Sequence, residues 1–181
     1  MERNLVMIAL FAALIAALGL IPKITLAFGV PITAQSLGVM LCGTVLGSKR
    51  GALAVLLFLL LVALGLPLLA GGRGGLGLFV SPTAGFLVGF PIAAFVTGLI
   101  VEKWRNVPLT LVAGIAAALG GIVVLYVFGV IGMSITLDKS IAEATALVTA
   151  FIPGDILKAV IAGMLTAALA KARPNSVLSR A

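Results

Sequence analysis

The chain has no histidine and a single cysteine, Cys42. Without histidine, the commonest metal ligand and the commonest proton shuttle at neutral pH are missing. One cysteine cannot form an internal disulfide. Acids are nearly as scarce: Glu2, Glu102, Asp138, Glu143 and Asp155 are the only five. Four of them lie outside the apolar runs, and only Asp155 falls inside one, so a relay of carboxylates along the chain is not expected. Charged residues make up 9% and aromatic residues 6% of the sequence, against about a quarter charged in an average soluble domain. No nucleophile stands beside a base, and no metal-binding cluster is evident. A membrane enzyme is therefore the weakest of the function classes.

What fills the chain instead is apolar. Hydrophobic residues reach 62% and the mean hydropathy is +1.35, which predicts an all-α integral membrane protein. A spanning helix needs about 20 mostly apolar residues. Six runs qualify, at 5–21, 32–47, 51–69, 83–101, 108–131 and 144–170. They are expected to form one membrane domain, with the second run short and the sixth starting at the interface. The first run has no small-residue cleavage site before Pro22 and is expected to be a retained helix rather than a signal peptide.

The net charge of +7 reads as topology and contact with anionic lipid rather than nucleic-acid binding. Arg3, Lys49, Arg50, Lys103, Arg105, Lys171, Arg173 and Arg180 fall on one side of the six spans. Lys23, Arg73 and Lys139 fall on the other, and Lys158 lies within the membrane, which accounts for all 12 basic residues. The excess marks the cytoplasmic side, so both termini are expected there. The longer links, at 22–31, 70–82 and 132–143, then lie outside, and a ligand site is expected among them.

The candidate site residues follow from the cost of polarity in lipid. A charge at bilayer depth costs at least ~2.5–3.5 kcal/mol on insertion scales and usually marks a cavity or pathway. In FIPGDILKAV (151–160), Asp155 and Lys158 are three apart and share one helix face; either they are a structural pair or they hold a ligand. Pro153 and Gly154 just before them loosen the backbone, which favours a cavity. In PITAQSL, Gln35 sits one turn into the membrane and either bonds another helix or contacts a ligand. Tyr126, the only tyrosine, is either an interfacial anchor or a ligand contact. The loop AGGRGGLGLFVSPTAGF places Gly72, Gly74 and Gly75 around Arg73, whose planar fork suits a carboxylate. It lacks the Walker pattern of a phosphate loop and is expected to cap the outer pocket. In ALFAALIAAL, Ala9, Ala13 and Ala17 repeat every four residues, which lets another helix approach closely; the approach is from within the chain or from a partner protein.

With these motifs in order, nearly the whole chain resembles the BioY family, the biotin-specific substrate-binding (S) components of energy-coupling factor vitamin transporters. The glycine run and the Gly-Asp-x-x-Lys element are its best marks; Arg73 stands where the family often has another glycine or a polar residue, and SPTAG stands where GPTGG is common. The resemblance implies a six-helix S-component fold in a bacterial cell membrane that captures biotin from outside, with no cofactor. It implies that Ala9, Ala13 and Ala17 dock a transmembrane coupling protein and that two ABC-type ATPase subunits supply energy. Biotin's ureido ring can donate to Asp155 and accept from Lys158, and its carboxylate can take Arg73 or Lys23; the reverse pose stays open. The alternatives are an S component for another vitamin and a self-sufficient biotin facilitator.

Overall fold

A computed structural model describes residues 2–24 and 30–180; residues 25–29 of the expected first outer link lie outside the described residues. Six long helical stretches carry the chain: α1 (Glu2–Leu18), α2 (Gln35–Leu46), α3 (Ser48–Ala63), α4 (Ala84–Lys103), α5 (Leu109–Leu137) and α6 (Ile141–Ala172). Among the described residues, β pairing is limited to two isolated bridges, Ile24 with Ile32 and Leu69 with Arg73. The all-helical expectation is met.

Three of these helices, α4, α5 and α6, are long and apolar enough by themselves to cross a membrane. The other three end earlier than the apolar runs predict, for local reasons. α1 stops at Leu18 rather than Ile21, because the chain turns at Gly19 where its backbone meets Leu68 O and the Gln35 amide. α3 stops at Ala63 rather than Leu69: Gly65 adopts φ +101° and Leu66 N donates back to Leu61 O at 3.2 Å, a glycine-terminated helix end. α2 has only its residues 35–46 in helix, about 18 Å at 1.5 Å per residue, preceded by an extended segment from Val30. α2 and α5 each contain a π turn, at Cys42–Leu46 and Leu119–Val124, and α6 tightens to a 3-10 turn at Thr149–Phe151.

The core is built from Phe58, Ile15, Met40, Leu46, Leu125 and Met133, all fully buried. The outer face is no less apolar: Leu5 is 65% exposed, Leu60 56% and Leu111 57%. Leu53, Leu56, Leu60 and Leu64 of α3 and its end all point outward, at the three- and four-residue spacing of one helix face. A surface of this kind is suited to lipid, not water.

Helices with apolar surfaces on both sides gain little from hydrophobic burial against each other, so close backbone packing takes over. Gly85 of α4 faces Gly132 of α5, where an added Cβ would lie 2.9 Å from Gly132 Cα. Gly98 of α4 takes the Gly47–Ser48 turn, whose Gly47 has φ +87°. Glu102 holds the same turn, accepting from Ser48 N and Ser48 Oγ at 2.8 Å each. Both described chain ends lie at one end of the bundle, because Arg3 and Arg180 line the same groove. There Ser179 Oγ donates to Thr44 O at 2.6 Å and Arg50 reaches Leu178 O at 3.5 Å, seating the buried residues 177–179 under α2.

Gly132→Leu should force α4 and α5 apart and lower the thermal unfolding temperature of the detergent-solubilised protein, with an overpacking cost of about 1–3 kcal/mol or more. Gly77→Ala, where nothing lies within 4 Å, should leave it unchanged. Equal melting curves for the two variants would remove the glycine contact as the feature that sets the helix spacing.

Candidate ligand site

α6 changes from a 3-10 turn to α-helix at Ile152, with Pro153 in the first turn, where its missing N–H is tolerated. This break turns Phe151, Asp155 and Lys158 toward the start of α2. The Asp155 side chain is 7% exposed and that of Lys158 15%, so both charges are largely withdrawn from bulk solvent.

They form an ion pair, Lys158 Nζ to Asp155 Oδ1 at 2.7 Å. The pair is not closed on itself. Lys158 also donates to Thr33 O at 2.7 Å and to Ser36 Oγ at 3.0 Å, which uses its three N–H groups. Ser36 Oγ donates to Asp155 Oδ1 at 3.1 Å, and Tyr126 OH donates to Asp155 Oδ2 at 2.8 Å. Five residues from the α2 entry, α5 and α6 are joined around one carboxylate. The ring of Tyr126 stands edge-on to Phe86 and Phe151, with centroids 5.8–6.5 Å apart among the three. Tyr126 is thus a half-buried member of the network, and it does not itself line the cavity described next.

A cavity opens directly beside the pair. Its volume is about 70 Å³, and it is continuous with the exterior. Asp155, Lys158 and Ser36 supply its polar side; Phe86, Leu87 and Phe90 of α4, Leu125 of α5 and Phe151 supply apolar wall. Pro31, Ile32, Leu69 and Arg73 also line it. Its lining is that of a small-molecule pocket: mostly apolar, with a few convergent polar groups.

Arg73 is held by the Leu69 bridge and by its Nε, which donates to Ala70 O at 3.2 Å. Its two terminal nitrogens bond nothing among the described residues, and the side chain lines the cavity. Partial burial draws the guanidinium below its ordinary pKa, yet an arginine stays charged.

Other candidates are placed differently. Gln35 lines the cavity, but its amide is committed elsewhere: Nε2 donates to Ile15 O and Leu68 O at 3.0 Å each, and Oε1 accepts from Ala70 N at 2.9 Å. Its role here is to tie α1, α2 and the 68–70 loop together, with both donors spent. Gly72, Gly74 and Gly75 do not line the cavity. Gly72 and Gly75 have φ +69° and +95°, and a Cβ on Gly74 would meet the backbone of Leu66, so these glycines shape the turn that carries Arg73. Lys23 lies against Gly71 and does not line the cavity either. Ala9, Ala13 and Ala17 are all exposed on the outside of α1, while Phe11, Ala12 and Ile15 face the core. Packing within the described part of the chain therefore does not account for the alanine ladder.

Sequence reasoning missed Ser36 and Thr33. The signal was present in PITAQSL, since neighbouring helical residues point about 100° apart. If Gln35 faces α1, Ser36 faces another helix.

Three comparisons place this geometry among known proteins. Residues 2–175 match the BioY family. The chain is 58% identical to the biotin transporter BioY of Rhodobacter capsulatus over 99% of this chain and 100% of that one. It is 56% identical to the biotin transporter BioY of Rhizobium etli over 90% of each. A crystal structure of the S-component for biotin from an ECF-type ABC transporter superposes with a TM-score of 0.89 at 31% identity, covering 94% of this chain and 92% of that one.

Because each charge of the buried pair is held by the other, removing one alone should be more harmful than removing both. Asp155→Asn and Lys158→Met should each destabilise the protein by about 3–5 kcal/mol, and the double variant by less than either. Thermal unfolding of the four proteins in detergent checks this. Additive losses would mean that the two side chains do not act as a pair.

Proposed function

The chain belongs to the BioY family, and from that premise we propose that it is the biotin-binding S component of an energy-coupling factor transporter, a subunit that performs no chemistry on its substrate. The carrying observation is the cavity beside Asp155 and Lys158. It joins an apolar, aromatic-walled cleft to an opposite-charge pair and to Arg73. A bicyclic ligand with a ureido head, a thioether body and a carboxylate tail has chemistry matched to all three.

In this reading the ureido N–H groups donate to Asp155, whose Oδ2 accepts only from Tyr126 in the ligand-free network. The thioether ring packs among Phe86, Phe90 and Phe151. The carboxylate meets Arg73, which keeps the full ligand charge away from the apolar wall. Lys158 donates to the ureido carbonyl only by exchanging Thr33 O or Ser36 Oγ for it, because its donors are already in use. Gln35, Gly72, Gly74 and Gly75 act by holding the loop and helix entry in place.

The protein is a multi-pass membrane protein. The positive-inside rule supports a cytoplasmic location for both termini and for Arg3, Lys171 and Arg180 beside them, in a bacterial cell membrane. Asp155 and Arg73 then open to the outside. Energy comes from partners: a transmembrane coupling protein, docked on the outward face of Ala9, Ala13 and Ala17, and two ABC-type ATPase subunits.

Purified protein should bind biotin tightly, and competition with riboflavin and thiamine should leave that binding intact. Lys158→Ala and Asp155→Asn should each weaken it by roughly tenfold to a hundredfold or more, since either change leaves a buried charge and a ligand group without a partner, at ~1–3 kcal/mol for each unsatisfied group. Arg73→Gln should weaken biotin while leaving the carboxyl-free amide of biotin less affected. Wild-type affinity in the Lys158→Ala variant, measured by calorimetry, would overturn the assignment.

A further inference from the structure

We propose that the groove between the terminal-end halves of α5 and α6 binds one anionic phospholipid. Its acyl chain lies along the groove, and its phosphate rests against Arg3, Lys171 and Arg180. This rests on the chain being embedded in a membrane, not on the biotin reading.

The groove has a physical beginning. At Gly163, α6 touches α5 backbone to backbone: an added Cβ would lie 2.5 Å from Thr110 O and 2.9 Å from Gly114 N. Beyond that contact the lining is Met164, Ala167 and Ala168 against Leu109, so alanines leave room where larger side chains would fill it. Leu109 and Ala170 also line the adjoining hollow that ends at Arg3 and Arg180. Two adjoining hollows that share Leu109 and Ala170 therefore lead from Met164 and the alanines, past Lys171, to Arg3 and Arg180, the sequence of a lipid tail and its head-group. Asp155 and Lys171 are 16 residues apart on the same helical stretch, about 24 Å at 1.5 Å per residue, which separates this groove from the cavity.

The basic end is short of counter-charge. Among the described residues the one ion pair is Lys158 with Asp155, and none of Arg3, Lys171 and Arg180 pairs with a described acid. Glu102 nearby is already taken by Ser48. Arg180 donates through Nη2 to Trp104 O at 3.1 Å, but its buried Nε bonds nothing. Arg105 lies close enough to add like-charge repulsion to Arg180. An anion bonded to Nε would answer both the missing partner and the repulsion. A phosphate tethered to an acyl chain fits better than a free anion, because the hollow continues into apolar groove.

Native mass spectrometry of the full chain, delipidated in detergent, tests this with phosphatidylglycerol and phosphatidylcholine of identical acyl chains. Wild-type protein should retain phosphatidylglycerol at least tenfold better. Arg3→Gln with Lys171→Gln, both at exposed or half-exposed positions, should abolish that preference, and Ala167→Leu, which fills the groove, should cut retention of phosphatidylglycerol at least fivefold. Biotin affinity should be unchanged in all variants. Equal retention of the two lipids by the wild type would overturn the proposal. So would displacement of phosphatidylglycerol by free glycerol phosphate at matched concentration, an unchanged preference in the double variant, or a second copy of the chain found in place of lipid.

Discussion

A single carboxylate in an apolar bundle sets the terms for the rest of the structure. Asp155 cannot be left alone at that depth, and it is not: Lys158, Ser36 and Tyr126 all donate to it, while Lys158 reaches on to Thr33 O. The consequence is mechanical as well as electrostatic. The entry to α2, the middle of α5 and the bend in α6 must keep fixed positions for the network to close. The apolar residues between them, Phe86, Leu125 and Phe151, then enclose a cavity instead of collapsing into it. A buried ion pair of this kind is weak evidence for stability, since apolar replacements of similar volume often do as well. Its placement on a cavity wall gives it a reason that packing does not.

The frame that holds these positions is made from the opposite kind of residue. Gly85 against Gly132, Gly98 against Gly47 and Ser48, and Gly163 against Thr110 bring helices to backbone contact. In lipid such contact substitutes for hydrophobic driving force. The glycines of the 71–75 turn serve another end: positive φ at Gly71, Gly72 and Gly75 folds the chain back so that Arg73 pairs with Leu69 and aims at the cavity. Rigid contacts carry the polar network, and a turn carries Arg73.

Much of this was legible in the sequence because lipid imposes a simple code. Runs of apolar residues gave the helices, and the spacing of Asp155 and Lys158 gave their shared face. Helix ends were less legible. The third run continues to Leu69, but its helix ends at Ala63, because Gly65 supplies a turn that hydropathy does not register. Gln35 shows a different limit. Its polarity marked a buried position correctly, yet whether an amide serves a ligand or the backbone depends on which carbonyls come near, here Ile15 and Leu68. Those are brought in by tertiary contacts far from residue 35. The same holds for Tyr126, whose hydroxyl meets Asp155 only because α5 passes α6 in the right register. Ser36 went unread because a hydroxyl in an apolar helix usually bonds its own turn, and only the fold turns it to another helix.

The state of the network bears on how a ligand is recognised. With all three Lys158 donors engaged and both Asp155 oxygens bonded, the pair is satisfied without a ligand. A ligand arriving here exchanges hydrogen bonds more than it adds them, and such exchange contributes little net free energy by itself. Tight binding must then draw on groups that start unsatisfied. Two are present: the terminal nitrogens of Arg73, and the apolar wall of Phe86, Phe90 and Phe151, whose burial is worth about 25 cal/mol per Å². The pair selects, because a ligand lacking matched donors and acceptors would break bonds that it cannot replace. The wall and the arginine supply the affinity. Since a satisfied network is also indifferent to an empty cavity, it leaves the protein stable between one ligand and the next, as a reusable carrier requires.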